Sequence, residues 1–230
     1  QAKTILLIHG AGSSAHSWEQ ILPDLAKDFT VIAPDIPGHG FTVNYDPHSL
    51  AIKEIANDLK NLLQQLNISV PDILIGHSAG CNICLSLAVL YEQQPSMLVG
   101  FNPALVQPPE AYKLFLGPLL HPIATSTTIA RILAHTLGIS GAIDKIIDST
   151  NSTLTPMQRS RYTTLFGDST HINSALTFVT AIDIPELLSQ HDLVKSHLTF
   201  VVTRQDTWIP LLAVSAVIRY YFPKAEIIEQ

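Results

Sequence analysis

Only two cysteines, Cys81 and Cys84, occur in 230 residues. That is too few for a disulfide framework and agrees with a reducing compartment. Charge is sparse as well: 14% of residues are charged, the formal net charge is −6, and Lys and Arg are scattered singly. This distribution offers no basic stripe to a nucleic acid and no polybasic patch to an anionic membrane surface. No apolar run approaches the roughly 18 residues of a membrane helix, so no integral membrane segment is expected. No internal repeat or low-complexity linker is visible. With 47% of residues apolar, a disordered or fibrous chain is excluded, and the length suffices for one domain with its own core plus an insertion. No secretory leader is visible. The expectation is a cytoplasmic protein, but the chain enters an apolar strand just after Gln1, so the native N-terminus precedes that residue and a leader or early strands could lie before it.

Short apolar runs alternate with amphipathic stretches. Ile5-Leu6-Leu7-Ile8, Phe29 to Ala33, Ile73-Leu74-Ile75 and Met97 to Phe101 read as buried strands. Between them, Trp18 to Ala26 has helical spacing with Ser17 available as a cap. Leu50 to Leu66 repeats Ile52, Ile55, Leu59, Leu62, Leu63 and Leu66, and Cys81 to Tyr91 forms an apolar helix. The strand pattern lapses from about Pro103 to Gln190 and resumes at Leu198 to Thr203. A helix over Leu211 to Tyr220 and a last strand, Ala225 to Glu229, follow. Such alternation implies a mostly parallel sheet with helices on both faces. The division is 1–106 for the first part of the sheet domain, 107–190 for an inserted helical cap, and 191–230 for the second part.

Gly76-His77-Ser78-Ala79-Gly80 lies directly after one strand and directly before a helix. A G-x-S-x-G in a loop occurs by chance, but between a strand and a helix it is the context of a nucleophile elbow. The glycines let backbone approach a tightly turned serine whose hydroxyl stands above the sheet's carboxyl edge. Ser78 is thus the candidate nucleophile. An acyl-transfer intermediate needs N–H donors at its oxyanion, expected from Ala79 and, in the loop His9-Gly10-Ala11-Gly12, from Ala11. His9 and His39 read as loop-ordering residues, and Cys81 and Cys84 as buried thiols. No metal or organic cofactor is implied.

A triad serine also needs an acid and a histidine. Asp206 follows the strand ending at Thr203 and precedes a proline-bounded helix, which makes it the candidate acid over Asp183 and Asp192, although a helix-capping Asp would look similar. None of the ten histidines follows Asp206. Two readings follow: the base lies beyond Gln230, the favoured one, with His16, His171 and His191 as internal substitutes, or the protein lacks a base and is not a triad enzyme.

With these residues together, the chain resembles the α/β-hydrolase superfamily over essentially its whole length. Within it, the chain is most similar to the accessory hydrolase-like proteins encoded with magnesium chelatase in bacteriochlorophyll synthesis. That likeness rests on His16-Ser17-Trp18, Pro34 to Thr42, Gly76 to Gly80 and Ser149 to Leu154. The resemblance implies two strands before Ile5 and a glycine-rich turn bearing histidine after Gln230. The residues themselves point to a serine hydrolase acting on an ester or similar acyl bond through an acyl-enzyme on Ser78, with a non-catalytic accessory or ligand-binding protein on the same fold, associated with the tetrapyrrole pathway, as the alternative. The expected partner is a small molecule with an apolar acyl part. It would be lined by Leu114, Phe115 and Leu119 of the cap, with Trp18, Phe101 and Asn102 near the same cavity.

Overall fold

The computed structural model describes residues 2–43, 46–107 and 142–230. The expected lining residues Leu114, Phe115 and Leu119 lie outside the described residues. Among the described residues six strands form one sheet: β1 (Thr4–Ile8), β2 (Thr30–Ile32), β3 (Ile73–His77), β4 (Met97–Phe101), β5 (His197–Val202) and β6 (Glu226–Glu229). Their order is β2-β1-β3-β4-β5-β6 and every pairing is parallel. Among the described residues the sheet is thus wholly parallel.

Side chains alternate between two apolar layers, as the two-residue period of a strand requires. Leu6, Ile8, Leu74, Leu98, Leu198 and Phe200 pack with α2 (Ile52–Gln65) and α3 (Ala79–Ala88) through Ile55, Leu59, Leu63, Ile83 and Leu87. Ile5 and Leu7 pack with Trp18, with Ile73, Ile75, Leu22, Leu25 and Phe29 around them. Fully burying one such side chain contributes about 1.5–3 kcal/mol, so this two-sided burial is what fixes strand register.

The helix expected over Trp18 to Ala26 is divided. A 3-10 turn covers Ala15–Trp18, with Ser14 rather than Ser17 at its cap, and α1 spans only Leu22–Leu25. Pro23 stands in the first turn of α1, where its missing N–H costs nothing, so the proline sets where this helix begins. In the segment after 141, α4 (Ala142–Ser149), α5 (Pro156–Phe166), α6 (Ser169–Thr180) and α7 (Ile184–Ser189) follow one another. Thr155 and Gln158 form a capping box on α5, while Asp168 and Asp183 cap α6 and α7 through their carboxylates. No strand occurs among the described residues between β4 and β5. The last helix, α8 (Leu211–Tyr221), leads into β6.

From β1 the chain runs outward to β2 and then returns to β3 on the other side of β1. Loops leaving the carboxyl ends of β1 and β3 therefore diverge and leave a crevice, the position where open α/β sheets bind ligands.

Candidate active site

Ser78 occupies that crevice. It directly follows β3, forms the N-cap of α3, and has φ +52° and ψ −122°, a conformation that residues other than glycine rarely adopt. Its N–H donates to the Phe101 carbonyl at 2.9 Å, and its carbonyl accepts from the N–H of Cys81 at 3.0 Å and of Ala104 at 3.3 Å. The flanking glycines are required sterically. A Cβ on Gly76 would stand 2.5 Å from the Cys81 backbone, and one on Gly80 would overlap the carbonyl oxygens of Ile8 and His9. Cys81 and Cys84 are free, fully buried thiols, with burial pushing both pKa values up. They pack the helix onto the sheet and are poor nucleophiles.

The loop after β1 lies directly against this turn: a Cβ on Gly10 would be 3.1 Å from both His77 Nδ1 and Ser78 Cβ. The Gly10 carbonyl accepts from His9 Nδ1–H at 2.8 Å and from the Ser13 N–H at 3.2 Å, closing a turn whose third residue, Gly12, has φ +70°. In a trans peptide the carbonyl and the following N–H point in opposite directions. Holding the Gly10 carbonyl inside the turn therefore aims the Ala11 N–H outward. Ala79 begins α3, where a helical N–H has no intrahelical acceptor and the helix dipole favours negative charge.

His9 is fully buried, donates at Nδ1 and accepts the Ile36 N–H at Nε2, 3.1 Å. Its partners require a neutral ring, and burial lowers its pKa to about 4. His39 is likewise buried, donating from Nδ1 to the Pro37 carbonyl at 3.1 Å, with its pKa lowered by burial to about 3. Both order the loops, as their sequence context suggests. One loop-ordering residue was not legible from composition. Asp35 accepts the Ala15 N–H at 2.7 Å on one oxygen and the Phe41 N–H at 2.8 Å on the other, tying two loops together. Its position in Pro34-Asp35 at a strand's end was the available signal.

Asp206 lies in the turn between β5 and α8, half-buried. One carboxylate oxygen accepts the N–H groups of Trp208 and Ile209 at 2.8 and 2.9 Å. The other accepts the Asn102 side-chain amide at 2.9 Å. Four lone pairs are available on a carboxylate, so one remains, on the oxygen that Asn102 shares. Asp206 does not cap α8, whose N-cap is Pro210. Asn102 directs its side-chain amide to Asp206 and to the Thr203 hydroxyl. Asp183 is occupied in capping α7, and exposed Asp192 pairs with His191 at 3.2 Å. Trp18 is buried among Ile5 and Leu7, with Phe101 6.4 Å from its ring. Among the described residues, no histidine ring is hydrogen-bonded to Asp206.

The alpha/beta hydrolase fold family model matches residues 3–121. The chain belongs to the alpha/beta hydrolase fold family. This α/β-hydrolase-fold chain is 29% identical over 215 residues to the magnesium-chelatase 30 kDa subunit of Rhodobacter capsulatus, spanning 90% of this chain and 72% of that protein. A shorter similarity, 36% over 95 residues, links it to an uncharacterized protein of Mycobacterium bovis and spans 41% of this chain but 27% of that one. Among solved structures, the enol-lactonase from Burkholderia xenovorans LB400 superposes with a TM-score of 0.76 at 19% identity, over 100% of this chain and 83% of the lactonase. That likeness is one of fold. Among the described residues, no helix of this α/β-hydrolase-fold protein is long and apolar enough to cross a membrane.

Proposed function

We propose that this protein is a serine hydrolase that cleaves an ester or similar acyl bond through an acyl-enzyme on Ser78. The observation that carries the reading is the backbone of Ser78, a non-glycine residue at φ +52° between a strand and a helix. Strain of this kind costs on the order of 1–3 kcal/mol and concentrates at functional sites. In the reaction, Ser78 Oγ attacks the acyl carbon and its proton passes to a histidine base. The carbonyl oxygen becomes an oxyanion held by the Ala11 and Ala79 amides. Collapse breaks the bond to the leaving group, which takes the proton back, and water then releases the acid by the same steps. Asp206 offers its remaining lone pair to the base, fixing its tautomer. In this reading the base lies outside the described residues.

The substrate is read as a small molecule with an apolar acyl part, covered by a helical cap over 107–190 between core segments 1–106 and 191–230. The run of helices α4 to α7 supports the cap, and the two reduced, buried thiols support a cytoplasmic site of action. The test is labelling of the full-length protein by a fluorophosphonate, alongside hydrolysis of a chromogenic short ester. Ser78→Ala should abolish both while the protein stays folded. Labelling that survives in Ser78→Ala would put the nucleophile elsewhere.

A second reading, a non-catalytic accessory protein on the same fold, draws support from the similarity to the magnesium-chelatase subunit along 90% of the chain. It also fits the absence, among described residues, of a histidine on Asp206. A folded wild-type protein that resists labelling, yet changes the absorbance of protoporphyrin IX on titration, would favour it.

A further inference from the structure

His171 lies on α6, 159 residues from the loop it touches, and is 2% exposed. Its Nε2 is 3.2 Å from the Gly12 carbonyl and its Nδ1 is 3.3 Å from the Gly40 N–H. A carbonyl can only accept and an amide N–H can only donate, so the ring is the neutral Nε2–H tautomer with both nitrogens committed. Neither nitrogen is free to serve as a general base. The ring is packed edge-on between His39, at 5.1 Å, and Phe166, at 5.7 Å.

The bond to Gly12 has a consequence two peptides away. The Gly12 carbonyl and the Ser13 N–H belong to one peptide group, and that N–H donates to the Gly10 carbonyl at 3.2 Å. The Gly10 carbonyl and the Ala11 N–H belong to the next such group. The hydrogen bonds therefore run in one direction, from Gly40 N–H through the His171 ring, through the Gly12–Ser13 peptide, to the Gly10–Ala11 peptide. They end at an N–H with no acceptor among the described residues. Bonds aligned head to tail polarise one another, and each fixes the plane of the peptide it reaches. His9 Nδ1–H, on the same Gly10 carbonyl, reinforces the last link.

We propose that His171 is a positioning residue for the oxyanion hole: it heads a hydrogen-bonded relay that orients and polarises the Ala11 amide. The inference rests on the reading of Ala11 as an oxyanion donor. It makes α6, part of the proposed cap, a fixed component of the hole rather than a lid that swings clear of it.

The experiment compares His171→Phe, which keeps a ring against His39 and Phe166 but has no donor or acceptor, with His171→Gln, which retains both. Two readouts are taken on the full-length protein: amide hydrogen exchange at Ser13 and Gly40, and the rate of Ser78 phosphonylation with kcat and KM for a short ester. Losing an oxyanion donor outright costs about 10²–10³ in kcat, so misorienting one should cost about tenfold, with KM changed by less than about threefold. Exchange at Ser13 and Gly40 should accelerate by a similar factor in His171→Phe, and Gln should recover most of both losses. Faster exchange with phosphonylation within about twofold of wild type would overturn the positioning role, and so would a Gln variant no better than Phe. If Ser78→Ala labels as wild type does, the hydrolase reading fails. The exchange comparison is independent of activity, and unchanged protection in His171→Phe would then refute the relay itself.

Discussion

Asn102 and Asp206 bridge the carboxyl ends of β4 and β5: the Asn102 amide donates to Asp206 at 2.9 Å and to the Thr203 hydroxyl at 3.0 Å, while its carbonyl oxygen accepts the Thr203 N–H at 2.8 Å. Phe101, the residue before Asn102, supplies the carbonyl that holds the Ser78 N–H. Two adjacent residues thus connect the nucleophile turn to the candidate acid. Asn102 does so at φ +41°, a left-handed conformation that Asn tolerates better than most side chains.

Asn102→Asp keeps the shape but sets two carboxylates against each other. Its ester hydrolysis should fall at neutral pH and recover partly in acid, where one proton can be shared. Asn102→Ala should destabilise the fold by about 1–3 kcal/mol through the unpaired Thr203 N–H. For Asp206→Asn, a kcat lower by roughly 10⁴ is expected if the site behaves as other triads do. Steady-state kinetics across pH and denaturant melts check all three. An Asp206→Asn rate within tenfold of wild type, on the same scale, would remove the acid from this position.

Ser78 sits where glycine would be relaxed. At an ordinary position glycine is less stable than alanine by about 0.5–1 kcal/mol, but at φ +52° the relief of backbone strain, on the order of 1–3 kcal/mol, should reverse the order. Ser78→Gly should therefore unfold at a denaturant concentration at least as high as Ser78→Ala. A clearly lower midpoint for the glycine variant would mean that the turn stores no strain.

Gly80→Ala forces a methyl group into the carbonyls of Ile8 and His9, backbone that cannot retreat without moving β1. A loss of about 1–3 kcal/mol or more is expected, with the oxyanion loop displaced as well. Gly167→Ala is the control. Its Cβ would lie 3.3 Å from the carbonyls of Thr163 and Thr164, at a helix C-cap of ordinary φ −76°. It should change stability by less than about 1 kcal/mol. Thermal melts of the two proteins decide.

Stability should fall in mild acid. Burial lowers His9 to about 4 and His39 to about 3, against an ordinary value of 6.5; Asp35 opposes the shift at His39, and His16 and His171 add to the lowering at one or both rings. Between these values the unfolded chain binds protons that the folded rings refuse. Stability therefore rises with pH across this window and is complete above about 6.5. By pH 5 each ring should withdraw about 2 kcal/mol relative to pH 7. His39→Phe removes one of them and packs beside Phe178, so its denaturant midpoint should depend less on pH than the wild type's. Equal slopes for the two proteins would show that His39 is not held neutral.

The buried strands and the elbow were readable from the chain alone because their causes are mostly local. Ile5 to Ile8, Ile73 to Ile75 and Met97 to Phe101 are short apolar runs bounded by turn residues, and glycine at 76 is required by the Cys81 backbone five residues on, whereas glycine at 80 is required by the carbonyls of Ile8 and His9, which only the packed sheet brings there. The spacing of Trp18, Ile21, Leu22 and Leu25 matches a single helix, whereas Pro23 places the start of α1 at Leu22. What tertiary structure decided is the set of polar partnerships that complete the site. Asn102 meets Asp206 across 104 residues and His171 meets Gly12 across 159. No periodicity encodes such pairs, because a side-chain hydrogen bond depends on where the sheet order and a packed helix bring two distant atoms. Apolar patterning specified the scaffold through an additive, non-directional force, whereas the directional contacts at the site exist only once that scaffold has closed.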